Sequence, residues 1–330
     1  MKCPKCGTIN DDRATKCIKC GENLLKLRLE KSRKKKILRD NLTGYAFLLP
    51  NAIGFLIFTF LPVIASFILA FFQWDGTSPL YNAKFVGLAN FINLLFKDKL
   101  FWKYFYNTLF FMLNIPIGMA VSLILALLMN QPLKGIVVYR TIYFMPVISS
   151  MVAVALLWRW IYNPDFGLLN SFLRMIGFKS VPQWLSSTEW AKPAIMIMWI
   201  WRGAGYNMLL YLAALQGIPE QLYEAAAIDG ANAWQKFWYI TFPMLAPTNF
   251  FIIIMGIISG FQAFGELYIM TSGGPAGATT TIVFYIYNKA FRFFRMGYAS
   301  AIAWFLFFVM FIVTLWQWKR SGERMEYSLV

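Results

Sequence analysis

The cysteines of the chain stand in two pairs near its beginning, Cys3 with Cys6 and Cys17 with Cys20, each pair spaced by two residues and followed by a glycine. Two such pairs can converge four thiolates on one ion, the closed tetrahedral set that Zn2+ takes in structural sites. Gly7 and Gly21 permit the tight turn that folds each pair back on itself. The alternatives are two disulfides or free thiols, and a reducing compartment disfavours both. No imidazole competes as ligand, because the sequence holds no histidine. A segment this short has almost no core, so metal binding would supply its folding free energy. Residues 1–23 are therefore expected to form a zinc ribbon.

A second set of chemistry-bearing residues lies inside apolar sequence. Arg202 and Glu266 are ionisable, and Asn114, Asn207 and Gln262 are their neutral polar companions. Groups of this kind are costly in hydrocarbon and invite a functional reading. Drawn as one helix, Gln262 and Glu266 share a face, with Tyr268 near the same end. Polar groups suit sugar hydroxyls and aromatic faces suit sugar C–H groups, which makes Asn207, Gln262, Glu266 and Tyr268 the substrate-path candidates. The competing reading is structural: Arg202 and Glu266 pair between helices, and the amides only join helices by hydrogen bonds. No catalytic constellation is visible, since without histidine, and with one acidic residue in these stretches, hydrolysis or proton relay has little to work with.

The elements that must position these residues are membrane helices. The chain of 330 residues is 59% hydrophobic and 14% charged, too apolar for an ordinary soluble domain. A span needs roughly 20 mostly apolar residues. Six such stretches can be drawn, at 44–72, 105–130, 139–162, 193–216, 246–270 and 296–318. The formal charge of +16 is uneven, with a dense run of cations from Lys2 to Arg39. Beside a first span, such a run holds its side in the cytoplasm, and contact with lipid accounts for it better than nucleic acid does. The polar start is no secretory signal, so the N-terminus is expected to be retained and to lie inside. An even number of spans returns the C-terminus inside, where Lys319, Arg320 and Arg324 follow the last one. Lys97, Lys99, Lys103, Arg292 and Arg295 fall on the outer side and oppose this, so the orientation rests on the N-terminal cluster. Trp74, Trp102, Trp158, Trp160, Tyr162, Trp190, Trp316 and Trp318 sit near expected span ends as interfacial anchors. The expected plan is a ribbon at 1–23, a basic cytoplasmic linker at 24–43 and an all-α polytopic domain of six spans at 44–330.

Between the fourth and fifth spans, residues 217–247 are too polar to cross. Pro219 suits a first helical position, Glu220 complements the N-terminal dipole, and Ala225, Ala226 and Ala227 favour helix until Asp229 and Gly230 break it. A second helix follows from Asn232, with Trp234, Phe237, Trp238 and Thr241 on one face, until Pro243. Its small, acidic face suits insertion into a groove on another protein, and an amphipathic pair lying on the membrane suits it equally.

The string EAAAIDGANAWQKFWYITFP in this loop resembles the signature of binding-protein-dependent ABC importer permeases: Glu-Ala-Ala, Asp-Gly-Ala, an aromatic and a closing proline. TSGGPAGATTT at 271–281, then YNKAF and MGYASA, together with WDGTSPL at 74–80, resemble the carbohydrate-importer permeases of the maltose, lactose and glycerol-3-phosphate type. The resemblance implies a multi-pass plasma-membrane permease that is not an enzyme. It implies pairing with a second permease, an ATPase dimer inside through which alone ATP acts, a solute-binding protein outside, and a sugar as substrate. It also implies that 217–245 is the coupling loop, with Glu224, Ala225, Ala226, Asp229, Gly230 and Ala231 at the ATPase. The chain has no G-x-x-x-x-G-K-[ST] phosphate loop, so the ATPase is another subunit. The ribbon departs from the family pattern. Of the rival classes, an ion-coupled secondary transporter calls for related halves and an in-span carboxylate, and only Glu266 fits; a sensor merely anchored by its spans has no use for six of them and a docking loop.

Overall fold

A computed structural model of the chain describes residues 2–11, 14–132 and 134–326. Of the cations expected to hold the termini inside, Arg13 lies outside the described residues, as do the side chains of Arg28, Lys31, Lys34, Lys35, Arg320 and Arg324. The chain divides after Ser66 into two compact units.

In the first unit, two cysteine-bearing turns lead into helix α1, Leu24–Phe55, where Asn23 caps the N-terminus by accepting from the Lys26 N–H at 3.0 Å. Leu24 is fully enclosed against Cys3 and Cys17. Residues 24–43, expected as a linker, are thus helical and continuous with the apolar sequence that follows. A π-helical turn, Leu56–Phe60, leads on to α2, Leu61–Leu69.

The second unit is a helical bundle with one small hairpin, β1 (Phe72–Gln73) paired antiparallel with β2 (Lys84–Phe85). Its helices run α3 Lys99–Phe111, α4 Asn114–Met129, α5 Ile136–Ile148, α6 Met151–Ile161, α7 Leu168–Met175 and α8 Ala191–Gln216. There follow α9 Glu220–Ile228, α10 Ala233–Lys236, α11 Ala246–Phe261, α12 Gly265–Thr271, α13 Ile282–Tyr287 and α14 Met296–Glu326. By length and composition, three helices suffice to cross a membrane among the described residues, or up to five if each sharply bent pair is one span. The stretch α8, 26 residues long, buries one side, with Ala194, Ile195, Met198, Met208 and Tyr211 covered, while Ile197, Trp201 and Tyr206 stay exposed. It lies along α4, α5 and α11. Gly205 shows why a small residue is needed there: a β-carbon on it would stand 2.1 Å from the Tyr143 carbonyl oxygen. Helices without a hydrophobic drive between them associate through close backbone approach of this kind.

Two expected spans are broken. The stretch 139–162 divides at Ser149 and Ser150, both in extended conformation, and α5 and α6 meet at 100°. The Ser149 hydroxyl donates to the Met145 carbonyl at 3.0 Å, closing the last turn of α5, and α6 then packs against α12. The stretch 246–270 ends its first helix at Phe261, and Phe264 departs from helical backbone at φ −146°, ψ −56°. Here the Ala263 carbonyl accepts from the Thr281 hydroxyl at 2.7 Å, while the Phe264 ring meets Phe284 at 5.3 Å and Tyr287 at 5.0 Å. These tertiary contacts replace the next turn of helix. Gln262 and Glu266 are therefore not on one helix face: one closes α11 and the other opens α12.

Candidate functional site

The four cysteines converge. Each knuckle is closed by the same pair of backbone bonds, Gly7 N–H to Cys3 O (2.9 Å) with Cys3 N–H to Thr8 O (2.9 Å), and Gly21 N–H to Cys17 O (3.0 Å) with Cys17 N–H to Glu22 O (2.9 Å). Gly7 and Gly21 adopt φ +73° and +69°, the conformation the turn requires. Asn10 ties one knuckle to the other, donating to Thr8 O at 2.9 Å and accepting from Ile18 N–H at 2.9 Å. All four Sγ atoms lie within 4.8 Å of one another, with Cys3 to Cys20 and Cys6 to Cys17 each at 3.5 Å. The bond of about 2.3 Å that zinc makes to sulfur sets tetrahedral S–S edges of about 3.8 Å, so the cluster fits one ion. The Cys17 thiol is held below the usual thiol range, chiefly by the backbone N–H of Cys20, which favours the thiolate a metal needs.

The polar loop folds as the expected helical hairpin. Pro219 precedes α9 and Glu220 sits in its first turn. Gly230 leaves the helix at φ +79°, and the Ala231 N–H returns to the Ala226 carbonyl at 2.8 Å, closing the end. Asn232 and Gln235 form a reciprocal capping box that starts α10. Tyr223 and Thr241 join the two arms at 2.8 Å. Pro243 does not stop the second arm, since helix resumes over Phe242–Met244 before the chain bends by 61° into α11. Glu224, Ala225, Asp229 and Gly230 are exposed, Ala226 and Ala231 partly so, and Ile228 projects with 87% of its surface free.

Between α4, α8, α11 and α12 lies a cavity of about 740 Å³. Arg202 and Glu266 face each other there at 3.0 Å and are the only charged residues of its lining among the described residues. Their charges cancel. Asn114, Asn207, Gln262, Tyr206 and Ser259 supply polar groups, and Phe111, Trp199 and Phe264 supply aromatic faces. Two buried atoms of the lining, Arg202 Nε and Asn114 Oδ1, find no hydrogen-bond partner among the described residues.

Of the substrate-path candidates, Asn207, Gln262 and Glu266 are brought to this cavity and Tyr268 is not. Tyr268 instead packs on Phe264 (5.6 Å) and Phe284 (5.7 Å), with the Arg292 guanidinium 5.8 Å from its ring. Trp199 and Tyr206 were not singled out in the sequence. Their spacing around Arg202 places all three along one side of α8, so the charged residue itself was the signal for them.

A bundle of membrane-length helices that encloses a polar, charge-balanced cavity and carries an exposed helical hairpin defines a membrane permease subunit. Residues 115–322 match the binding-protein-dependent transport system inner membrane component family, and the chain belongs to that family. A probable ABC transporter permease protein, YesP, of Bacillus subtilis is 37% identical over 305 residues, covering 91% of this chain and 96% of that protein. The lactose transport system permease protein LacF of Rhizobium radiobacter is 36% identical over 290 residues, covering 86% and 95%. Among solved structures, a chain of a bacterial ABC transporter that imports the acidic polysaccharide alginate superposes with a TM-score of 0.76 at 30% identity, covering 88% of this chain and 99% of that one. The chain is thus a non-enzymatic ABC importer permease, a multi-pass membrane component whose ATPase is a separate subunit.

Proposed function

We propose that the chain forms one half of the translocation pathway of a sugar importer, paired with a second permease, driven by an ATPase dimer docked on the 217–245 hairpin and supplied by an extracytoplasmic solute-binding protein. Six spans fit this reading when α8 is added to the three long helices and the two bent pairs. Arg202 and Asn207 lower the mean hydropathy of α8, yet a helix that turns its polar residues to a cavity need not be apolar throughout. Both termini are then cytoplasmic. Support for the hairpin as coupling element is its exposure and the small surface of Ala225, Ala226 and Gly230, which suits a groove. The ion in the cysteine cluster is read as zinc, since four thiolates and no open position make a structural zinc site.

The observation that carries the sugar reading is the pair of unpartnered buried atoms on the cavity wall, one donor on Arg202 and one acceptor on Asn114. A hydroxyl is donor and acceptor at once, and a polyol brings several. Because Arg202 is already neutralised by Glu266, the part of the pathway this chain lines suits a neutral saccharide better than an acidic one. Relatives include proteins of lactose and of sn-glycerol-3-phosphate transport systems, so the solute class varies within the family. The test is uptake by the complex purified through this chain, reconstituted with the saccharide its solute-binding protein retains. Asn114→Leu should raise the concentration for half-maximal uptake by roughly 5- to 100-fold, the effect of leaving a buried hydroxyl unpaired, with ATP turnover of the unloaded complex unchanged. Uptake indifferent to Asn114→Leu, with assembly intact, would remove the cavity from the pathway.

A further inference from the structure

A second cavity of about 830 Å³, remote in sequence from the first, is lined by residues of the 73–100 segment and of 285–298. Its walls carry Asp75 and Asp98, and both carboxylates are satisfied by the fold itself. Asp75 Oδ1 accepts from the Thr77 N–H, the Ser78 N–H and the Ser78 hydroxyl at 3.1, 2.9 and 2.7 Å. Asp98 Oδ1 caps α3, accepting from the Leu100 and Phe101 N–H groups at 3.0 and 3.1 Å, while Oδ2 accepts from the Tyr285 and Tyr298 hydroxyls at 2.6 Å each. Burial opposes ionisation of Asp98, yet the two tyrosine hydroxyls outweigh it and hold the carboxyl below its usual range.

The cations of the same cavity are not satisfied in this way. Lys84, Lys97, Lys289 and Arg295 line it, and none forms an ion pair among the described residues. Lys289 is instead held among rings, its Nζ 4.9 Å from the Tyr285 centroid and 5.6 Å from those of Phe293 and Tyr298. Phe294, in the left-handed region at φ +49°, reverses the chain so that the Arg295 N–H bonds back to Lys289 O at 2.8 Å. The reversal keeps both cations on one wall and leaves the Phe293 and Phe294 rings exposed at its edge. A non-glycine residue held in this conformation is a strain that surrounding structure must maintain.

The depth of the cavity follows from the span ends. Two apolar helices of this unit begin at Lys99 and at Met296, each next to a residue of this lining. The cavity therefore opens where two helices pass from hydrocarbon to water, and exposed aromatic rings at its edge belong to the same layer. Four cations against the two carboxylates of Asp75 and Asp98, the latter facing Lys289, leave an excess of positive charge in this lining, and at that depth lipid phosphates are the anions at hand.

We propose that this cavity seats the phosphate of an anionic phospholipid headgroup, held by Lys84, Lys97, Lys289 and Arg295 with the glycerol end resting against the Phe293 and Phe294 rings, whichever solute the importer carries. The test is native mass spectrometry of the purified full-length complex titrated with phosphatidylglycerol, with phosphatidylcholine, and with inorganic phosphate. Phosphatidylglycerol should bind in preference to phosphatidylcholine. The double variant Lys84→Gln/Lys97→Gln, altered at two exposed side chains that make no hydrogen bond of the fold, should weaken it about 25-fold, at about fivefold per cation. Lys134→Gln, outside the cavity, should change nothing, and thermal unfolding of all variants should match the parent. Equal retention of the two lipids, or phosphatidylglycerol binding untouched by the double variant, would overturn the assignment. So would millimolar inorganic phosphate expelling the lipid, which would make this a site for free anions. Lost docking of the solute-binding protein with lipid binding unchanged would give the cavity to that protein's carboxylates instead.

Discussion

Removing one charge of the Arg202–Glu266 pair should do more harm than removing both. The nitrogen and oxygen stand 3.0 Å apart, and the side chains are 27% and 16% exposed. With charge centres about 4 Å apart, an effective dielectric near 20 gives an attraction of about 4 kcal/mol. Either ion alone keeps its desolvation and loses that attraction, apart from what water entering the cavity returns. Arg202→Met or Glu266→Gln is therefore expected to destabilise the folded chain by about 2–3 kcal/mol, somewhat under the 3–5 kcal/mol typical of a wholly enclosed pair. The double variant, with no charge left to solvate, should cost about 1 kcal/mol, which makes the coupling about 3–5 kcal/mol. Reversible unfolding of the purified chain in mixed micelles, followed by tryptophan fluorescence, measures all four corners of the cycle. Effects that add to within about 0.5 kcal/mol would refute the reasoning, because groups that meet in a poorly hydrated cavity cannot act independently.

Two further outcomes are expected. Gly230→Val should reduce uptake and the stimulation of ATP turnover by loaded binding protein, while membrane insertion and metal content stay normal; a β-carbon there meets nothing within 4 Å in the chain itself, so the direct effect is the strain of φ +79°, about 1–2 kcal/mol, on the shape the hairpin offers. Metal analysis of the purified chain should find about one zinc per polypeptide, and Cys6→Ser or Cys20→Ser should release most of it, since three thiolates no longer close the tetrahedron; full occupancy in either variant would reject the four-cysteine ligand set.

What could be read in advance divides by the range of the interactions involved. The knuckles were legible because all their determinants lie within a few residues: two cysteines, the glycine that turns, and the backbone bonds it allows. The hairpin at 217–245 was legible for the same reason, with Pro219, Asp229, Gly230 and Asn232 each acting on its own neighbours. Hydropathy located the membrane-length stretches but averaged over the breaks at Ser149 and at 262–264, where a single residue's conformation decides. The break at Phe264 depends on Thr281, Phe284 and Tyr287, which belong to a later element. That is why Gln262 and Glu266 reached one cavity by a route other than a shared helix face, and why Tyr268 did not follow them. The second cavity was the least legible, since Asp98 finds its tyrosine partners 187 and 200 residues further along the chain.

The enclosure of Leu24 has a practical side for anyone shortening this protein. A cut after residue 23 looks clean in the sequence, but it passes through a packed contact, because Leu24 belongs to the core of the cysteine cluster while opening α1. A chain begun at residue 24 would present a bare leucine at a fresh terminus and lose the Asn23 cap as well. Trimming should instead begin at Asn23 with Leu24 exchanged for a polar residue. Conversely, a graft that moves the cysteine cluster to another protein should carry the chain through Leu24, so that the transplanted cluster brings its own floor.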